Sequence, residues 1–292
     1  MSRHLHEAFN TLAREIRKVN RARRFNRAKP ARRCAKMVAE YWVAGIDALW
    51  EYMAAHDRWQ ALREHTVEKA LSDSDRSFLT RLLANFGYFD DVEKKAQSII
   101  QATSIPTFEE AGKFALRQIG VAASTFDLRN QAILDRLIER KDAAIFSTRS
   151  FIDEALSTIA TRFHELGESA YSSEMLADLR KVLGYRADWE ARRFAVTETG
   201  IAAELAQVET YRRNGVEGKQ WNILDQNTRP SHQALSGAIV KVDDKFDVGG
   251  FPADHPLDPK LPPEELVNCH CWLSPVVDED FEVNAESIWE GQ

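Results

Sequence analysis

Two of the three cysteines and three of the eight histidines fall within the 40 residues from His232 to Cys271. Thiolate and imidazole suit zinc, which takes sulfur and nitrogen ligands tetrahedrally and does no redox chemistry. In an extended strand residues i and i+2 point to one side. Cys269 and Cys271 can therefore present two sulfurs together while His270 faces away, and His232 and His255 would complete a structural Cys2His2 zinc set. The spacing is not that of a CxxC knuckle, and the same residues also read as buried reduced thiols or as a redox pair. A disulfide between Cys269 and Cys271 is disfavoured, because α-carbons two apart in a strand lie near the upper limit of what a bridge spans.

Trp221, Asp225, Thr228, Arg229, Ser231, His232 and Gly237 form a second constellation, W-x3-D-x2-T-R-x-S-H-x4-G. With His232 as base, Asp225 as its carboxylate and Arg229 as anion clamp, such a group can cleave a phosphodiester, which makes a nuclease-like enzyme the alternative reading. The competing account is structural: Asp, Thr and Ser in a proline-containing loop satisfy backbone donors and brace the turn, and Arg229 pairs with a carboxylate. No Gly-rich phosphate loop, HExxH, GxSxG or dinucleotide fingerprint occurs. Cys34, alone in a helical stripe, reads as packing.

Charge is distributed unevenly. Residues 1 to 36 hold 12 Lys or Arg against two Glu, a balance of +10, while the rest of the chain holds 27 basic and 43 acidic residues, a balance of −16. A basic arm on an acidic body is built to meet a polyanion or an acidic protein surface. The nucleic-acid candidates are Arg14, Arg17, Lys18, Arg21, Arg23, Arg24, Arg27, Lys29, Arg32 and Arg33. A solvated helix without a ligand, or an arm folding into an acidic groove of a protein partner, accounts for the same charge.

Proline maps the elements that must carry these groups. Only Pro30 and Pro106 precede residue 230, whereas seven prolines crowd residues 230 to 275, so helix is expected before that point and loops with short strands after it. Residues 5 to 28 have helical composition, and Pro30 sits at a helix start. Val38, Tyr41, Trp42, Gly45, Leu49, Tyr52 and Met53 recur at helical spacing and predict a core stripe. Further helices are expected from Ser72 or Ser74 to Phe86, over Phe89 to Ala102, from a Thr107/Glu110 capping box toward Gly120, over Ala122 to Arg140, over Ile145 to Leu166, from Ser173 to a C-cap at Gly184, and over Asp188 to Arg213 with a stop at Gly215. Lys219 to Leu224, Ala238 to Val242 and Cys269 to Val277 predict strands, with turns at Ser236-Gly237 and Gly249-Gly250. The fold class is thus mainly α: a helical N-terminal region followed by a small α+β C-terminal domain.

The composition, 44% hydrophobic and 29% charged, excludes wholesale disorder. The longest apolar stretch, Met37 to Trp50, is broken by Glu40 and Asp47 and falls short of the roughly 18 to 20 residues of a spanning helix. A polar, basic start without an apolar core behind it and too few cysteines for a disulfide framework predict a reducing cytoplasm.

Several motifs occur in one order: R-F-A-V-T-E-T-G (193–200), Tyr211 with Gly215, Lys219 with Trp221, D-x2-T-R-P-S-H-x2-L-x-G (225–237), Phe246, and N-C-H-C (268–271) followed by Pro275. This order, over about residues 186 to 277, resembles the phage Mu F-like head morphogenesis family. That family usually closes with Cys-Arg-Cys, where this chain has His270, and some relatives carry further cysteines where it has Pro230, Ser231 and His232. The resemblance implies a minor head (capsid) protein of a tailed bacteriophage, present in few copies in the virion. It implies a place at the portal vertex or capsid interior, assembly in the host cytoplasm, and the portal or major capsid protein as partner; it does not imply catalysis, and the chain is expected not to be an enzyme. The arm then suits packaged double-stranded DNA, bound without sequence selectivity and with strong salt dependence. A scaffolding or DNA-binding module outside the virion is a third reading. The expected organisation is a basic arm at 1–36, a helical region at 37–185, the head morphogenesis domain at 186–280 and a tail at 281–292.

Overall fold

The computed structural model describes residues 24–61, 64, 81, 87, 91–127, 131–166, 172–224, 227–277, 282–283 and 285–290. The helix expected before residue 24, nearly all of that from Ser72 or Ser74 to Phe86, and much of the tail lie outside them. The protein is mainly α with small antiparallel sheets toward its C-terminal end. Its helices are α1 (Ala28–Ala55), α2 (Val92–Gln118), α3 (Gln131–Glu139), α4 (Lys141–Leu166) and α5 (Ser173–Arg213). Then follow β1 (Gly218–Asn222), α6 (Pro230–Ala234), β2 (Ile239–Lys241), β3 (Phe246–Val248), β4 (Phe251–Ala253), α7 (Pro263–Leu266) and β5 (Trp272–Val276).

The chain divides into two compact units, and neither is continuous in sequence. Unit one takes residues up to 31, 103–134 and 196–292; unit two takes 32–102 and 135–195. This differs from the linear partition expected at residues 36, 185 and 280, because α2 and α5 each give one half to one unit and one half to the other.

Unit two is a helical core. Of the expected stripe on α1, Val38, Trp42, Gly45, Leu49 and Met53 are buried, joined by Cys34 and Ile46, while Tyr41 and Tyr52 are half-buried. The stripe meets Ala144, Phe151, Ala155 and Ile159 of α4 and Leu179, Leu183, Ala187 and Ala191 of α5. Trp42 stacks on Phe151 with ring centroids 4.6 Å apart, and its indole N–H donates to Thr148 Oγ1 at 3.1 Å.

Two expected helix boundaries are absent, those at Thr107 and Gly184, whereas the start expected at Pro30 forms within two residues of that place. Residues 24–27 are not helical, and α1 starts at Ala28, whose N–H is taken by the Asn26 side chain. Pro106 lies inside α2, and Thr107 does not cap a new helix: its hydroxyl donates back to the Thr103 carbonyl at 2.6 Å. Gly184 lies inside α5, because Leu183, Ala187 and Ala191 continue the buried face through it and their packing outweighs the roughly 1 kcal/mol helix cost of glycine. The stop at Gly215 forms as expected: it adopts φ +68°, and the Val216 N–H closes on the Tyr211 carbonyl at 3.1 Å. The Ala122 to Arg140 stretch is a short 3-10 turn at Ala123–Thr125 and then α3.

In unit one the second half of α5 is buried almost all round. Ile201, Ala202, Ala203, Ala206 and Val208 are all under 2% exposed, as befits a helix running through a core. A three-stranded antiparallel sheet, ordered β2-β1-β5, belongs to this unit, with Gly218 opposite Lys241 on one side and Val276 on the other. Pro275 is tolerated because β5 is an edge strand. The separate hairpin β3–β4 turns on Gly249 and Gly250, whose φ values of +61° and +91° a two-residue turn of this kind requires.

Candidate metal centre

The site is built outward from α5. Within the R-F-A-V-T-E-T-G segment, Thr197 Oγ1 accepts the N–H of Asn268 at 3.0 Å, and Asn268 itself sits at φ +58°, just before the first cysteine. Gly200 leaves room that no other residue would: a Cβ there would lie 2.5 Å from Leu257 Cδ1 and 2.8 Å from the Arg27 guanidinium. One turn on, Glu204 is 1% exposed; its Oε2 accepts the Leu273 N–H at 2.8 Å and its Oε1 lies 3.8 Å from Arg27. Burial raises its pKa to about 7, against the pull of Arg27, that N–H and Arg24.

Two of the expected nucleic-acid residues are thereby reassigned. Arg27 is 7% exposed and donates to the Cys271 carbonyl at 3.1 Å, so its charge offsets Glu204 and is not offered to phosphate. Arg24 is half-buried over the Trp272 ring, 5.3 Å from its centroid. Lys29, Arg32 and Arg33 are exposed in the first turns of α1. Arg14, Arg17, Lys18, Arg21 and Arg23 lie outside the described residues.

On β1 the alternation turns Lys219 and Trp221 to one buried face. Lys219 donates to the Asp254 carbonyl at 2.8 Å and lies over the Phe246 ring; burial lowers its pKa to about 8. Trp221 meets both His232 and Phe246 edge-on, with centroids 5.4 and 5.2 Å away. The short helix α6 starts with Pro230 in its first turn and sets His232 against this indole, fully buried.

His232, Cys269 and Cys271 converge. One ligand atom from each lies within 4.8 Å of the others, and all three side chains are buried. His232 Nδ1 is 3.4 Å from Cys271 Sγ and 3.5 Å from Cys269 Sγ, and the Cys271 N–H donates to Cys269 Sγ at 3.4 Å. The Cys269 thiol is held well below its ordinary value by hydrogen bonds from Cys271 and His232, whereas Cys271 is pushed up by Cys269 and by burial. On the far side of the imidazole, Glu265 Oε2 lies 3.0 Å from Nε2, off the ring N–H axis, and accepts the Ser231 hydroxyl at 2.8 Å.

His255, expected as the fourth ligand, stands outside this cluster. Its Nδ1 donates to the Pro256 carbonyl at 2.8 Å, and burial lowers its pKa. Arg229 donates to the Val267 carbonyl at 2.5 Å, where a carboxylate partner was expected. Asp225 lies outside the described residues. The three converging residues line a cleft of about 360 Å³ together with Asn227, Thr228, Arg229, Asn268 and His270. Sequence reasoning missed Glu204 and Glu265. Glu204 had a signal, a carboxylate amid alanines in IAAELA where every face is apolar; Glu265, one of two adjacent acids in a turn, had none.

These features define a small α+β domain built on a long helix, with a thiol–imidazole cluster at its closing strand. The model of the family described as Phage Mu protein F like protein matches residues 166–274. The uncharacterized protein YqbB of Bacillus subtilis (strain 168) is 30% identical over 220 residues, which span 73% of this chain and 70% of that relative. The chain belongs to the phage Mu protein F like family, a bacteriophage family of head morphogenesis. No solved structure matches it.

Proposed function

We propose that this is a minor head protein of a tailed bacteriophage, carried in few copies at the portal vertex or inner capsid surface and assembled in the host cytoplasm. The observation that carries this reading is the family match over residues 166–274, the segment in which the shared motifs close the core of unit one. Thr197 fixes the turn before Cys269, Gly200 admits Arg27 and Leu257, and Arg229 ties its loop to Val267. Motif residues spent on such bonds support a domain that holds a shape and performs no catalysis. The nuclease reading is weakened in the same way, since His232 is 0% exposed with Nδ1 turned to two sulfurs, and Arg229 is committed to a backbone carbonyl.

The arm supplies the DNA contact. With Arg24 and Arg27 drawn into the body, the contact rests on Lys29, Arg32 and Arg33 and on the basic residues before 24. Portal or major capsid protein is the partner of the helical parts. Among the described residues no helix is long and apolar enough to cross a membrane.

Mass spectrometry of density-purified particles from the source strain tests the role. A few to a few tens of copies per particle are expected, and absence from full particles, empty heads and released particles alike overturns it. For the arm, deleting residues 1–23 should weaken binding to double-stranded DNA and flatten its dependence on salt, each lost phosphate contact removing about 0.9 from the log–log slope. An unchanged slope removes the arm from the account.

A further inference from the structure

We infer that His232, Cys269 and Cys271 hold one zinc ion, with the fourth corner of the tetrahedron taken by solvent from the cleft beside them. The site does not depend on any virion role. Zinc bonds of about 2.3 Å to sulfur and 2.0–2.1 Å to nitrogen, set at the tetrahedral angle, place sulfur and nitrogen roughly 3.5 Å apart. Here the two such distances are 3.4 and 3.5 Å. Both sulfur–nitrogen edges therefore match the ion's requirement, and the two sulfurs lie within 4.8 Å of each other.

Charge agrees with geometry. Two thiolates cancel the charge of one zinc ion, so the neutral group can sit where its ligands are at most 2% exposed. One bond around the cluster and one nearby carboxylate are of the kind found behind metal ligands, although the carboxylate makes no hydrogen bond with the imidazole. The Cys271 backbone N–H points at Cys269 Sγ, and Glu265 lies behind the imidazole nitrogen that faces away from the sulfurs, itself held by Ser231. Buried thiols that served only as packing would need neither an imidazole between them nor a carboxylate behind it.

His255 takes no part, because its Nδ1 is bonded to Pro256 and its ring lies outside the cluster. All three ligand residues belong to the lining of the same cleft, with Asn227, Thr228, Arg229, Asn268 and His270 around it, and we place the remaining corner toward that cleft. Bound there, the ion joins α6 to the segment entering β5 across 37 and 39 residues of chain.

Elemental analysis of the full chain, purified under reducing conditions without chelator, should find about one zinc per chain. Cys269→Ser and Cys271→Ser should each bring this close to zero, whereas Cys34→Ser and His255→Ala should leave it unchanged. Should the serine variants fail to fold, the unaltered chain still decides the matter: stripped of metal and titrated with cobalt(II), it should show a sulfur-to-cobalt charge-transfer band and the intense visible bands of a tetrahedral site. Free imidazole should then shift the visible bands by replacing the solvent ligand. A chain that binds neither zinc nor cobalt, that carries Cys269 and Cys271 as a disulfide, or that keeps its metal after either cysteine is replaced overturns the site. Visible bands indifferent to imidazole overturn the open corner.

Discussion

Among the described residues, the buried polar side chain of unit two is Thr148, which serves a tryptophan, whereas every buried charge belongs to unit one. Unit two closes on an apolar stripe repeated along α1 and answered by α4 and α5. Unit one buries Glu204 of α5 together with Arg27, Lys219, His232, His255 and Asp258, each bonded to a segment distant in sequence or to a loop it braces. An apolar core needs hydrophobic residues of about the right volume; a core containing charge needs each partner in place, because a buried charge stripped of its partner costs several kcal/mol. The first kind of core tolerates repacking, and the second fixes one arrangement.

The largest effect expected from that contrast is in unit two. Trp42→Ala should cost about 3–5 kcal/mol by opening a cavity against Phe151, and hydrogen-exchange mass spectrometry should find the lost protection in peptides of α1 and α4. Equal loss in the peptides of β1 and β5 would break the distinction between the two cores.

The next effect is a pH dependence peculiar to unit one. Glu204 titrates near 7 in the folded chain against 4.5 for an ordinary glutamate, so between those values the folded state binds more protons than the unfolded one. Stability must then fall as pH rises across that window, by on the order of 2–3 kcal/mol. Lys219 acts in the opposite sense at higher pH. Its value near 8 lies below the usual 10.5, the unfolded chain binds more protons between the two, and stability recovers as pH rises through that range. The pair thus leaves a trough around pH 7–8. Chemical denaturation of Glu204→Gln beside the unaltered chain isolates the falling limb. Parallel pH profiles for the two proteins would remove Glu204 as its source.

The smallest effect sharpens the part played by the shared motif. Thr197→Val deletes the acceptor of the Asn268 N–H and should cost about 1 kcal/mol in a thermal melt, with the zinc content unchanged. A neutral substitution would mean that the turn before Cys269 holds its shape without α5.

The same contrast explains what could be read from the sequence. Periodicity located the stripe of α1, most of α4 and the end of α5, because an apolar core writes itself as spacing. It misplaced the ends at Thr107 and Gly184, where packing on both sides of a weak residue carries the helix through. β1, β2 and β5 were legible as extended runs; of the β3–β4 hairpin only the glycine turn was. Cys269, Cys271 and His232 were found by residue type, but His255 was grouped with them because spacing cannot show that its ring is bonded to Pro256. Arg24 and Arg27 looked like the rest of a basic arm, and only the fold reveals that a carboxylate 177 residues later claims Arg27.

The discontinuity of unit one also sets an order in time. A ribosome has delivered all of unit two by residue 195, but β5, which pairs with the central strand of unit one, ends at Val276. At synthesis rates of roughly 5–20 residues per second, Glu204 waits about 3–14 seconds for the Leu273 amide, and Arg27 lacks the Cys271 carbonyl throughout that time. Truncation of the message anywhere in that interval yields a chain with one finished core and one that cannot close.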